Sequence, residues 1–191
     1  MQEPSDAPPT DEIPFPLSGR LAAVDYGTVR IGIAVCDPDR ILVSPLEVHL
    51  VSKPSKDAAY FQDLAKGERL AGFVVGLPIH CDGGESQKSA EARDFARWLH
   101  ETTGLPVRLF DERFSTAHAK ERLRSGSKLS RQKSKRKLDA VAAMVLLESF
   151  LESARYHGRL PGQALGSPPT GDSAIEDSTT EDGVINDKDA Q

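Results

Sequence analysis

Three acids occupy positions where acids are costly. Asp25 lies near the end of a segment, Leu21 to Tyr26, that is apolar on both faces, and it shares a face with Leu21 and Ala23. Glu112 ends a later apolar segment, and Asp139 falls in the first turns of the last amphipathic stretch. The helical neighbours of Asp139 at i+3, i+4 and i+7 are Ala142, Ala143 and Leu146, so its side chain belongs to the packed face. A carboxylate in such surroundings needs a partner or a metal. Two strand ends and one helix start can gather three carboxylates in one cluster, which repel each other unless a cation neutralises them. Oxygen-only ligands suit Mg²⁺ or Mn²⁺. Two such ions roughly 4 Å apart can activate a water and stabilise the leaving oxygen of a phosphodiester. Taken singly, each acid has a plainer use. Asp25 could shape the turn before Gly27, Glu112 could pair with Arg113, and Asp139 could favour the helix dipole. The combination weighs against the plain uses.

The elements that must position these acids can be read in order. Leu21–Tyr26 and Arg30–Cys36 form two strands around a turn at Gly27, with Ile31, Ile33 and Val35 on one face. Ile41–Val51 is a third strand. Ser44-Pro45 interrupts it, and because proline cannot donate to a ladder the strand should be an edge or carry a bulge. Ser55 is the expected cap of a helix from Lys56 to about Lys66, with Gly67 as its stop. Ala71–Leu77 is a fourth strand. A helix from about Ser86 to Thr103 follows, with Ala92, Phe95, Ala96 and Leu99 as its buried stripe. Val107–Phe114 is the fifth strand, and a basic helix then runs to about Arg124. Ser125–Ser134 reads as a loop, and the last helix spans roughly Lys135 to Tyr156. Three strands in succession suggest antiparallel pairing, and the later strands each follow a helix, which suggests parallel pairing. The expected fold is α/β: a mixed five-stranded sheet with helices on both faces.

The chain has 191 residues and a formal net charge of −5, but that charge misleads. Residues 1–17 carry acids and no Lys or Arg, and residues 161–191 carry seven acids against Lys188 alone. Between Ser18 and Leu160 the balance is +5. Both ends are expected to be disordered, leaving one folded domain over 18–160. The opening Met-Gln-Glu-Pro-Ser-Asp is not expected to act as a secretory signal, and no run of roughly 20 apolar residues could cross a membrane. Cys36 and Cys81 lack metal spacing and read as idle thiols of a cytoplasmic protein.

The basic excess concentrates between Lys120 and Lys137. Lys128, Arg131, Lys133, Lys135, Arg136 and Lys137 precede Asp139 directly, and with Arg113 they are the candidate phosphate-backbone contacts. A solvated loop and helix face is the plainer reading. One-sided charge just ahead of the suspected site favours binding. No aromatic pattern of the kind that stacks single-stranded bases accompanies it. The loop Asp82-Gly83-Gly84-Glu85 is read as a turn, and the histidines show no ligand spacing.

Several motifs together resemble the YqgF family, also called RuvX. They are Asp25-Tyr-Gly-Thr-Val-Arg-Ile-Gly, Val75-Gly-Leu-Pro, Asp82-Gly, Phe110-Asp-Glu-Arg-Phe-Ser-Thr and Lys137-Leu-Asp-Ala-Val-Ala-Ala, in the family's order and spacing, over about Arg20 to Tyr156. The resemblance implies a ribonuclease H-like fold and a metal-dependent nuclease using Mg²⁺ or Mn²⁺. Asp25, Glu112 and Asp139 carry over as its catalytic metal ligands. Asp111 is the alternative to Glu112, because strand alternation puts the two on opposite faces. The family is described both as trimming the 5′ end of precursor 16S ribosomal RNA, with the small ribosomal subunit precursor as a partner, and as resolving four-way DNA junctions. The motifs serve both descriptions. Asp25-Tyr-Gly-Thr28 also resembles the first phosphate loop of actin-like ATPases, but those use two such domains and this chain has one. A non-catalytic nucleic-acid-binding module is the third reading, and the three acids argue against it.

Overall fold

The computed structural model describes residues 14–79, 86–111 and 131–165, with the backbone alone for 131–137. Leu21–Val24 are completely buried, so the first strand, β1 (Arg20–Asp25), is a central one. It pairs antiparallel with β2 (Arg30–Cys36), which pairs antiparallel with β3 (Val43–Leu50). On its other side β1 runs parallel to β4 (Leu70–Leu77), and β4 runs parallel to β5 (Val107–Asp111). The described sheet has the order β3-β2-β1-β4-β5-β6, where β6 is the two-residue strand Gln163–Ala164 antiparallel to β5. The mixed sheet is as the sequence suggests, with six strands in place of five. β3 is indeed an edge, and its register against β2 slips between Ile33 and Ala34, which face Glu47 and Pro45. Leu46 is thus the extra residue of a bulge beside the proline.

Alternation along β1 divides the core in two. Ala22 and Val24 point to the side of α1 (Pro54–Gly67) and α2 (Gln87–Thr103), where Phe61, Leu64, Phe95 and Leu99 cover them. Leu21 and Ala23 point to the other side, against Leu146, Leu147, Phe150 and Leu151 of α3 (Arg131–His157). Asp25 falls on this α3 side.

Three boundaries differ from expectation. α1 begins at Pro54 rather than after Ser55, and its N-cap Lys53 makes no side-chain cap bond. Proline suits the first helical turn, because the N–H it lacks has no partner there in any case. Gly67 remains helical, and Arg69 takes the positive φ of 51° at the exit instead. α3 begins at Arg131, so residues 131–134 are helical and not loop. At the ends, Phe15 packs edge-on against Phe150, with ring centroids 6.0 Å apart, and β6 lies past residue 160. The Arg108 guanidinium fastens that exit by donating to the carbonyls of Leu160, Pro161 and Gly162. Helix α2 matches its reading closely. Ser86 caps it in a reciprocal box with Ser89, and Gly104 closes it in the left-handed conformation at φ 70°.

Candidate active site

The turn between β1 and β2 and the third turn of α3 enclose an open cleft of about 260 Å³, lined by residues 25–30 and by Asp139. Gly27 makes the turn possible, since a Cβ there would lie 2.6 Å from the carbonyl oxygen of Arg30. Asp25 pairs across the ladder with Gly32, so both face α3. Gly32 has no side chain for a reason: a Cβ there would sit 2.0 Å from the main-chain oxygen of Asp139. The helix therefore rests on bare backbone at the strand position opposite Asp25. That contact brings the two acids, 114 positions apart in sequence, to the same cleft.

Arg30 shares this face, two residues before Gly32. Its Nε–H donates to Asp139 Oδ2 at 2.7 Å, with the two side chains 36% and 25% exposed. A pair this exposed contributes little Coulombic stability, at most about 1 kcal/mol. Its effect is geometric: it fixes one carboxylate oxygen of Asp139, a residue that lines the cleft. Tyr26 turns the opposite way and stacks on Phe95, with centroids 4.6 Å apart. Burial, and then the charges of Glu91 and Asp94, push its phenol pKa up.

Asp111 ends β5 and is buried. Val107 and Leu109 belong to the α1/α2 core and Phe110 to the α3 core. Alternation therefore sets Asp111 on the α1/α2 side, away from Asp25 and Asp139. Glu112, Arg113 and Lys128 lie outside the described residues, as do the expected basic helix and the Asp82–Glu85 loop. Arg131, Lys133, Lys135, Arg136 and Lys137 fall in the first two turns of α3, leading into Asp139. Among the described residues no three His, Cys, Asp or Glu side chains gather to hold an ion. The two that line the cleft, Asp25 and Asp139, offer oxygen donors only, which fits a hard divalent cation. The sequence reading missed Arg30 and Gly32. Each gains its role only from Asp139 on the crossing helix, far away in the sequence.

A mixed sheet sandwiched by helices, with acids at a central strand end and on the crossing helix, is the ribonuclease H-like arrangement. Solved structures of Thermus thermophilus RuvC share the fold: one in complex with a Holliday junction substrate has a TM-score of 0.52 at 12% identity, covering 75% of this chain and 99% of that one. The family described as "RuvX: Holliday junction resolvase" matches residues 19–153, and the chain belongs to it. It is thereby a hydrolase of the nuclease class. A Rhodopirellula baltica protein named "Putative pre-16S rRNA nuclease" is 64% identical over 88% of this chain and 96% of its own length. A Koribacter versatilis protein of the same name is 37% identical over 73% of this chain and 90% of its own length.

Proposed function

We propose that this chain is a divalent-metal-dependent nuclease that processes the 5′ end of precursor 16S ribosomal RNA. The observation that carries the reading is the seating of α3 on Gly32, which brings Asp25 and Asp139 into one cleft. Mg²⁺ or Mn²⁺ would be held by Asp25, Asp139 and a third acid from the end of β5. With Asp111 set on the α1/α2 side, alternation favours Glu112 for that place. The bound cation would supply a nucleophile from water at neutral pH and stabilise charge on the phosphate. The protein's own part is positional. Gly32 fixes the separation of helix and sheet, Arg30 fixes the Asp139 carboxylate, and the Gly27 turn keeps the cleft open to a nucleic-acid strand. The cations Arg113, Lys128, Arg131, Lys133, Lys135, Arg136 and Lys137 would hold the backbone beside it, with affinity falling steeply with salt.

The RNA substrate rests on the name of the 64% identical relative, and the small ribosomal subunit precursor is the corresponding partner. A cytoplasmic setting follows from that substrate, and no described helix is long and apolar enough to cross a membrane. The family description favours four-way DNA as the second reading. One assay separates them. A precursor-rRNA leader and a four-way DNA junction are offered with Mn²⁺ to the wild type and to Asp25→Asn. Leader cleavage lost in the variant supports the proposal, junction cleavage lost in the variant supports the second reading, and equal cleavage by both proteins refutes the metal site.

A further inference from the structure

The cleft holds a contradiction for a phosphodiester: its two carboxylates repel the substrate they are meant to cleave. Among the described residues that line it Arg30 is the one cation. Arg30 engages Asp139 side-on, through Nε alone, at 2.7 Å. A guanidinium has five N–H donors in a planar fork, and a purely structural pair commonly uses two of them on one carboxylate. Here the four N–H groups on the terminal nitrogens have no acceptor among the described residues, while the side chain is 36% exposed at the cleft. Arg30 begins β2 on the face of Gly32 and pairs with Leu50 of β3, so its stem is anchored in the sheet that carries Asp25. Its reach is thus set by the sheet and its Nε end by the helix.

We infer that Arg30 is a substrate-binding residue of this site, its terminal amino groups taking a non-bridging oxygen of the nucleic-acid phosphate while its Nε–H orients Asp139. The inference rests on the nuclease reading of the cleft and names the group that offsets its negative charge toward the substrate. A guanidinium held at the cleft by its Nε–H can donate two parallel hydrogen bonds to a phosphate through its terminal nitrogens, which a lysine cannot reproduce.

Binding tests this apart from catalysis. Full-length Asp25→Asn protein, in which cleavage is expected to be lost, is compared with the same protein also carrying Arg30→Gln. Fluorescence anisotropy of a short labelled single-stranded RNA is followed over a KCl series. Loss of one charge-assisted phosphate contact should weaken binding about 10-fold at low salt. It should also reduce the slope of log K against log salt by about 0.7. Arg30→Lys in the same background should restore the slope, because the charge remains, yet bind several-fold more weakly than the parent, because the fork is lost. Unchanged slope and affinity in the Gln variant would overturn the inference and leave Arg30 acting on Asp139 alone. Should the Gln variant melt before binding can be read, the Lys variant decides, and parental affinity there overturns the inference. Failure of the nuclease reading would show separately, as wild-type protein that does not cleave.

Discussion

Replacing Gly32 by alanine tests the seating that brings the acids together. The added Cβ would stand 2.0 Å from the Asp139 oxygen, 2.4 Å from its carbonyl carbon and 3.1 Å from the Ala140 nitrogen. Ordinary contact begins near 3.4 Å, so helix and strand must part by about 1.4 Å along the shortest of these directions. All three atoms are backbone, so no side chain can rotate away. Overpacking of this kind costs about 3 kcal/mol, the upper part of the usual range. For a chain of this size that corresponds to a melting temperature lower by about 6–12 °C. The catalytic loss should be larger than the stability loss explains, because misplacing a reacting group by about 1 Å costs on the order of 10²-fold. Cleavage is therefore measured at a temperature where circular dichroism shows the variant still folded. Gly67→Ala is the control: nothing lies within 4 Å of its added Cβ, and it is the last residue of α1, without a positive φ. That change should stabilise by about 0.4–1 kcal/mol and leave cleavage untouched. A Gly32→Ala protein that melts within about 2 °C of the wild type and cleaves at the wild-type rate would refute the reasoning.

Two further outcomes follow from the opposite side of the sheet. Asp57 is buried and accepts from His49 Nε2 at 2.8 Å and from the Ser52 N–H at 3.1 Å, joining edge strand β3 to the first turn of α1. Asp57→Ala leaves both donors without an acceptor and should cost about 1–3 kcal/mol in urea unfolding, with cleavage by the folded protein unchanged. A variant as stable as the wild type would show that the link carries no weight. Tyr60 stacks on His49 and donates to Glu47 Oε1 at 2.8 Å; burial first, and then Glu47, push its phenol pKa well up. A group whose folded pKa is raised contributes stability that is complete below its unfolded value and lost as pH climbs past it, here above about 10. Tyr60→Phe should therefore lose less stability than the wild type between neutral pH and pH values above that point. Parallel pH profiles would contradict the assignment.

What the sequence reveals here depends on whether a residue's role is local. The β1–β2 hairpin is legible because an unbroken apolar run bounded by a glycine turn has few alternatives. Asp25 and Asp139 are legible because each interrupts an apolar face. Ser86 and Gly104 announce the ends of α2 through cap chemistry. β6 is not legible: Gln163-Ala164 has no pattern of its own, and Arg108, over fifty residues away, holds the segment by its carbonyls. The start of α1 misleads because Ser55 is a good cap in isolation, whereas Pro54 already occupies the first turn. Gly32 reads as one more residue in a strand until the helix above it is known. Arg30 reads as the polar start of that strand until its carboxylate partner, 109 residues away, is in place. The choice between Asp111 and Glu112 stays open in the sequence, and the core memberships of Val107, Leu109 and Phe110 remove Asp111 from the cleft face.

The most direct test of the central claim, that Asp25 and Asp139 act as one cation-holding unit, is a double-mutant cycle on Mn²⁺-dependent cleavage of the precursor-rRNA leader. Asp25→Asn, Asp139→Asn and the double variant are compared with the wild type. Groups that act as a unit are strongly non-additive. The account predicts that each single change removes nearly all cleavage and that the double variant is no worse than either. Losses that multiply, or an Asp139→Asn protein that cleaves like the wild type, would contradict it.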